Sequence, residues 1–404
     1  MENEKTELPI GDHEESHLLS PFTFGRGFKL SHRVVLAPVT RCRALNNVPQ
    51  EAHTIFYFQR ATQGGFLISE AVAVSPQGIG FPNSPGIYTE EQVEAWRRVV
   101  DAVHEKGAIF FCQLWHVGRA SHGVYQPEGK LPISSTSQPV PAPWSILMPD
   151  GPSGPYSTPR ALETHEIPDI VDQFRSAARN AMRAGFDGIE IHSAHGYLID
   201  QFLKDGINDR NDQYGGSVAN RCRFALEILS AIADEVGSDR LAIRLSPIID
   251  HLGAEDSNPI DLAQFLVDQL NRKFNPGLAY LHVTEPRFTR HGLKGDVETE
   301  KAERNVCSLM REGFKGPFMS SGGFVQETGE AALRSGKADL IAFGRLFISN
   351  PDLPARFVGE ARLTKYDRSK FYTSDQVVGY TDYPCMTSPR QALFPSFSSE
   401  INGQ

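Results

Sequence analysis

A chain of 404 residues is long enough for one large domain with a well-buried core or for two ordinary ones. Its formal charge of −9, with 40% hydrophobic and 22% charged residues, describes an ordinary globular protein and argues against a nucleic-acid-binding surface. No apolar run approaches the roughly 20 residues of a membrane span, and the five scattered cysteines (Cys42, Cys112, Cys222, Cys307, Cys385) contain no Cys-x-x-Cys pair, which fits reduced thiols.

Residues 1–20 are acidic and polar without a signal-peptide layout and read as a disordered arm. Val34 to Pro38 is a continuous apolar run of the buried-strand type. A helix over about Glu51 to Thr62 leads to a second such run, Gly65 to Ala71, and then to a Gly/Pro-rich loop, Val72 to Tyr88. The helix Glu91 to Lys106 carries Val93, Trp96, Val99, Val100 and Val103 at helical spacing and stops at Gly107, before a third strand, Ala108 to Trp115. Gly118 to Arg160 breaks the rhythm: it is rich in Pro, Ser and Gly, offers no long periodic segment, and follows directly on a strand end, as a lid or pocket wall would. A helix over Thr164 to Ala184 feeds the fourth strand, Gly188 to His192. Alternation then resumes: helix Arg221 to Val236, strand Leu241 to Ser246, helix Ile260 to Lys273, strand Tyr280 to Glu285. A mixed loop and helix span Pro286 to Gly313, followed by strand Pro317 to Ser321, helix Glu327 to Ser335, strand Asp339 to Arg345 and a last helix from Leu353 to Val358. Eight buried runs, each followed by a helix and with no linker-like break, predict a single (β/α)₈ TIM barrel over 21–384, with a long insertion after strand three and a flexible tail over 385–404. A doubly wound open sheet is the alternative fold.

Barrel strands converge at their C-terminal ends, whatever their separation in sequence. Strand four delivers His192, His195, Gly196 and Tyr197 there, and two imidazoles with a phenol can polarise a carbonyl and protonate a carbon. The His-x-x-His spacing is also compatible with zinc, but four ligands are needed and no cysteine or carboxylate set is patterned beside it, so no metal is expected. Strands seven and eight end in Ser321-Gly322-Gly323 and Gly344-Arg345, where small residues allow backbone N–H groups to approach a phosphate. Thr40, Gln113 and Arg244 are polar residues on apolar strands, each costly to bury without a partner, and a planar heterocycle with amide-like edges would satisfy all three. Arg244 could instead pair with a carboxylate such as Glu190. Gly78-Ile79-Gly80 lacks the third glycine and the helix start of a dinucleotide fingerprint. Phosphate, heterocycle and acid set together suggest a flavin mononucleotide enzyme acting on a carbonyl compound.

Val35-Leu36-Ala37-Pro38-Val39-Thr40-Arg41, Cys112-Gln113-Leu114-Trp115-His116-Val117-Gly118-Arg119, Ile189 to Leu198, and Asn208-Asp209-Arg210 through Ser217 resemble the Old Yellow Enzyme family. Within it they are most similar to the plant 12-oxophytodienoate reductases, and the run Phe371 to Pro384 is of that subgroup. The resemblance implies non-covalent FMN, NADPH as reductant, and reduction of the C=C bond of α,β-unsaturated carbonyls, here 12-oxophytodienoate or related cyclopentenones. It implies that Thr40, Gln113 and Arg244 hold the flavin ring, with Pro38, Val39 and Ala71 beside them, and that Ser321, Gly322, Gly323, Gly344 and Arg345 hold its phosphate. His192 and His195 would bind the carbonyl oxygen, Tyr197 would protonate the α-carbon, and Phe81, Arg287 and Tyr372 would line the substrate. Phe81 and His251 match the branch that takes the jasmonate precursor. A general enone reductase without that role, or a flavin-binding protein without turnover, is the alternative. The expected partner is a small enone, not nucleic acid or membrane, for a monomer or weak homodimer. The chain ends Asn402-Gly403-Gln404, which is not a peroxisomal tripeptide, so the cytosol is the expected compartment.

Overall fold

Eight short apolar runs become eight parallel strands because both of their faces are covered, so they need no polar alternation. In the computed structural model, which describes residues 16–149, 151–286 and 297–386 with only the backbone of 297–304, they are β1 (Val34–Leu36), β2 (Phe66–Ala73), β3 (Ile109–Trp115), β4 (Gly188–Ser193), β5 (Leu241–Leu245), β6 (Tyr280–Thr284), β7 (Phe318–Ser321) and β8 (Leu340–Phe343). Each pairs in parallel with its sequence neighbours and β8 pairs with β1, closing the barrel. The expected (β/α)₈ fold is therefore the observed one.

The surrounding helices are α1 (Glu51–Arg60), α2 (Glu90–Glu105), α3 (Ile167–Arg183), α4 (Leu198–Leu203), α5 (Val218–Val236), α6 (Pro259–Lys273), α7 (Val297–Gly313), α8 (Gln326–Arg334), α9 (Arg345–Ser349) and α10 (Leu353–Val358). Their starts follow side-chain capping: Thr89, Ser217 and Asn258 accept the N–H of Gln92, Asn220 and Asp261. The valines and Trp96 of α2 are all buried, on the face that the spacing indicated.

Four expectations need correction. Residues 16–20 are not a disordered arm: Leu18 is fully buried, and Glu330 on α8 accepts from the N–H groups of His17 (2.6 Å) and Leu18 (3.1 Å). Two adjacent leucines, Leu18 and Leu19, among polar neighbours gave too weak a signal. The insertion after β3 carries regular pairing, Ile133–Ser134 with Arg160–Ala161 and the antiparallel pair Ile146–Met148 with Gly151–Gly154. Strand eight stops at Phe343, and Arg345 opens α9. Cys385 and Met386 are partly buried, with the Met386 N–H held by Asp352 at 2.7 Å, while the rest of the expected tail lies outside the described residues.

The barrel is filled in layers. A hairpin, Phe22–Phe24 with Phe28–Leu30, seals the N-terminal end by packing Phe24 against Phe66, Phe111 and Tyr280. Above it lies a polar layer around Glu190 and His282, both fully buried, and above that the open C-terminal face. A bulge in β2 between Ile68 and Ala71 brings Ala71 opposite Gln113 at this upper end.

Burial also sets the acid response of the fold. Desolvation lowers the pKa of His32 to about 4 and of His53 and His116 to about 3, and it lowers those of His192, His195 and His282. These groups are neutral when folded but bind protons below about 6.5 when unfolded, so their contribution is present above that pH and lost as pH falls. Each costs up to about 1.4 kcal/mol per pH unit. Glu70 and Asp200, raised by burial to about 7 and about 6, act in the opposite sense but are fewer. The denaturant midpoint is expected to fall steadily from pH 7 to pH 5; a flat profile would place these rings in contact with solvent.

Candidate active site

The β4 motif leaves the barrel through a turn that only its sequence permits. His195 and Gly196 have φ of +59° and +75°, and a Cβ at Gly196 would come within 2.4 Å of the His251 carbonyl oxygen. Three side chains hold the turn: Ser246 Oγ accepts the His195 N–H at 2.8 Å, Asp200 accepts the Gly196 N–H at 2.9 Å, and Gln201 donates to the Gly196 carbonyl at 2.8 Å. Gln201 also receives the Arg119 N–H and the Ser134 hydroxyl, tying the exits of β3 and β4 to the insertion. Sequence reasoning missed these three residues, although Asp200 and Gln201 are polar positions on the otherwise apolar α4.

The turn directs His192, His195 and Tyr197 into a cavity of about 640 Å³. The His192 ring centroid lies 5.4 Å from that of His195 and 5.0 Å from that of Tyr197, with Trp115 packed edge-on to Tyr197 at 4.9 Å. The Ala194 N–H donates to His192 Nδ1 at 3.4 Å, so the neutral ring carries its proton on Nε2. Burial, with the nearby Arg244 cation, holds both histidines well below the ordinary imidazole pKa. Burial likewise raises the Tyr197 phenol well above 10, and its hydroxyl bonds to no described residue. The arrangement offers neutral N–H donors beside a protonated phenol.

The rest of the cavity comes from the ends of β1, β2, β3 and β5; β3 and β5 flank β4, and His192 lies in register with Arg244. Pro38, Val39, Thr40, Ala71, Gln113 and Arg244 all line the same cavity, and the Thr40 side chain has no hydrogen-bond partner among the described residues. Arg244 makes no ion pair with Glu190: its guanidinium donates to Thr284 Oγ1 (3.3 Å) and Ser321 Oγ (3.4 Å) and makes no other hydrogen bond among the described residues. An adjoining cavity of about 470 Å³ shares Arg244, Gly322, Arg345 and Arg368 and adds Ser321, Gly323 and Gly344. Gly322 has φ +123°, and a Cβ there would meet the Glu285 carbonyl oxygen at 2.7 Å, so the chain can form this floor only with glycine. Two arginines beside exposed backbone suit an anion, and the Gln113 amide, the Thr40 hydroxyl and the Arg244 guanidinium, gathered at one cavity, suit a heterocycle. The residues present therefore fit a flavin mononucleotide. Arg368 was not foreseen, since nothing local marks it.

Two long-range clamps complete the pocket. Arg119 donates to the carbonyls of Gln138 (3.2 Å) and Leu252 (3.1 Å), which holds the insertion so that Trp144 meets His251 edge-on at 4.6 Å. Arg41 and Arg43, directly after Thr40, bind the C-terminal segment through the carbonyls of Gly379 (2.6 Å), Asp375 (2.8 Å) and Phe371 (3.0 Å). That places Tyr372 6.0 Å from Phe81, ring to ring, at the mouth. Arg287 lies outside the described residues. His116, also near the end of β3, is buried away from the cavity, its Nδ1 accepting the Gly118 N–H.

Comparison with known proteins agrees with this geometry. The sequence profile of the NADH:flavin oxidoreductase / NADH oxidase family matches residues 17–363. The chain is 57% identical over 384 residues to 12-oxophytodienoate reductase 7 of Oryza sativa subsp. japonica, covering 94% of this chain and 97% of that one. It is 52% identical over 375 residues to 12-oxophytodienoate reductase 2 of Arabidopsis thaliana, covering 92% and 96%. Among solved structures, morphinone reductase superposes with a TM-score of 0.85 at 42% identity, covering 93% and 98%. The old yellow enzyme homologue from Zymomonas mobilis superposes with a TM-score of 0.81 at 40% identity, covering 91% and 99%. The chain thus belongs to the NADH:flavin oxidoreductase / NADH oxidase family and is an oxidoreductase of the Old Yellow Enzyme type.

Proposed function

We propose that this protein is an FMN-dependent ene-reductase that uses NADPH to saturate the C=C bond of α,β-unsaturated carbonyl compounds, 12-oxophytodienoate or related cyclopentenones among them. The observation that carries the reading is that two sets of polar side chains meet in one cavity. His192, His195 and the Tyr197 hydroxyl, which has no hydrogen-bond partner among the described residues, line it together with Thr40, Gln113 and Arg244. FMN, when bound, would supply hydride drawn from the nicotinamide. Thr40, Gln113 and Arg244 would hold its ring, flanked by Pro38, Val39 and Ala71. Gly322, Gly323, Gly344 and Arg345, joined by Arg368, would hold its phosphate; the Ser321 hydroxyl is turned to His282 and Arg244, leaving its backbone for that task.

His192 and His195 bind the carbonyl oxygen through neutral N–H groups and stabilise the negative charge that builds on it. Tyr197 delivers a proton to the α-carbon, an acceptor basic enough to take it from a phenol. Phe81, Trp144, His251 and Tyr372 enclose a ring-shaped, largely apolar substrate and exclude water. The relatives' names support a cyclopentenone, and a solved complex of morphinone reductase with tetrahydroNAD, 43% identical to this chain, supports a nicotinamide reductant.

The test is direct. Purified protein is expected to be yellow, to release FMN on denaturation, to bleach anaerobically with NADPH faster than with NADH, and to regain colour on adding an enone. Side-by-side turnover of both 12-oxophytodienoate enantiomers and cyclohexenone then ranks the substrates. A folded protein that takes up no FMN would overturn the reading, and equal turnover of all three would remove the cyclopentenone preference.

A further inference from the structure

Beneath the candidate flavin site lies a charged side chain that no step above uses. Glu190 on β4 is fully buried, one turn of the strand alternation below His192. Its Oε1 accepts from Gln113 Nε2 at 2.6 Å, and its Oε2 accepts from the Tyr280 hydroxyl and from His282 Nδ1, both at 2.9 Å. His282 Nε2 lies 2.9 Å from Ser321 Oγ, which receives Arg244 Nη2 at 3.4 Å. One carboxylate therefore roots a network that reaches three residues of the cofactor wall: Gln113, Ser321 and Arg244.

The direction of every bond follows from its charge. Burial alone would raise the Glu190 carboxyl, but His282, Arg244 and Gln113 outweigh it and keep it below its ordinary pKa. An ionised carboxylate only accepts, so the Gln113 atom beside it is the amide nitrogen and the carbonyl oxygen faces the cavity. His282 is kept neutral by burial, so its single proton lies on Nδ1 toward Glu190. Its Nε2 then accepts the Ser321 proton, and the Ser321 oxygen is left to accept from Arg244. Arg244 makes no direct hydrogen bond to Glu190, and its remaining N–H groups bond to no described residue.

We propose that Glu190 is a positioning residue for the flavin. As a carboxylate it fixes which edge of Gln113 and which donors of Arg244 the cofactor meets, and it offsets the Arg244 charge, so it sets how much more tightly reduced than oxidised FMN is held. Reduced FMN is the more negative form, and a fixed anion below it opposes its binding. This rests on the FMN reading above.

Glu190→Gln keeps the shape, removes the charge and reverses the relay, because an amide N–H facing His282 moves its proton to Nε2. Binding of oxidised FMN, followed by fluorescence quenching, is expected to change less than about threefold. Reduced FMN is expected to bind about tenfold more tightly relative to oxidised, a midpoint rise of about 30 mV for a two-electron couple. Tyr280→Phe removes one hydrogen bond to the same oxygen but leaves the charge, and it serves as the packing control; its midpoint is expected to stay at the wild-type value. Equal shifts in both variants, or none in Glu190→Gln, would overturn the proposal. Nitrogen-15 NMR of His282 in the wild-type holoenzyme adds a measurement that needs no variant. A neutral ring protonated on Nδ1 from pH 6 to pH 9 supports the relay, and an imidazolium or an Nε2 proton refutes it. Wild-type protein that binds no FMN at all would instead sink the functional reading itself.

Discussion

Replacing Tyr197 with phenylalanine is expected to slow enone reduction by about 10²–10⁴-fold, the usual range for a positioned general acid, while leaving reduction of the protein by nicotinamide unchanged. The substitution is clean for three reasons. The ring packs against Trp115 and His192, and phenylalanine retains that packing. The hydroxyl makes no hydrogen bond to any described residue, so its removal orphans nothing. Its pKa stands well above 10, raised by burial and by Tyr156 and Tyr372, so the acid form is the one present at every working pH. Stopped-flow measurement of the two half-reactions separates the effects. Turnover within twofold of wild type would remove Tyr197 as the proton donor and leave the proton to come from solvent.

The second large effect is expected from His192→Ala combined with His195→Ala. Loss of a donor aimed at a developing oxyanion typically costs about 10²–10³-fold, and two donors to one oxygen act as a unit, so the double variant should lose little more than the worse single one. Both rings are neutral because burial keeps their pKa values well below 6.5. Enone affinity in the wild type should therefore be flat from pH 6 to pH 9. Had the clamp been an imidazolium, affinity would rise as pH falls through the histidine range. Titration with a phenol, read as a long-wavelength absorbance band against the oxidised flavin, isolates binding from chemistry. Persistence of that band in the double variant would argue that these side chains do not hold the oxygen.

Much of the fold was legible in the chain because a barrel strand buried on both faces is an uninterrupted apolar run, and each of the eight was found within a few residues. Boundaries slipped where the signal is tertiary. Gly344-Arg345 follows the apolar run of β8 without a break in sequence, yet the backbone turns there into α9. Leu18 belongs to the core only because Glu330, 312 positions away, captures its N–H. Of the candidate site, the β4 motif, the glycines after β7 and the three polar residues on apolar strands all line the two adjoining cavities. Each was visible because its residue type conflicts with its apolar surroundings.

The sequence by itself determined the class of fold, the strand that carries the acid and carbonyl-binding groups, and the end of the barrel where chemistry gathers. Those are local properties: run length, period and residue type report burial directly. Only the tertiary structure decided what the polar residues pair with. Arg244 has Thr284 and Ser321 rather than Glu190, and Glu190 instead joins Gln113, Tyr280 and His282, at separations of 77, 90 and 92 residues. Arg41 and Arg43 reach a segment more than 300 positions on, and so place Tyr372 over the pocket. Hydrogen bonds act over about 3 Å, and which groups come that close is set by barrel closure, to which a local window of sequence is blind.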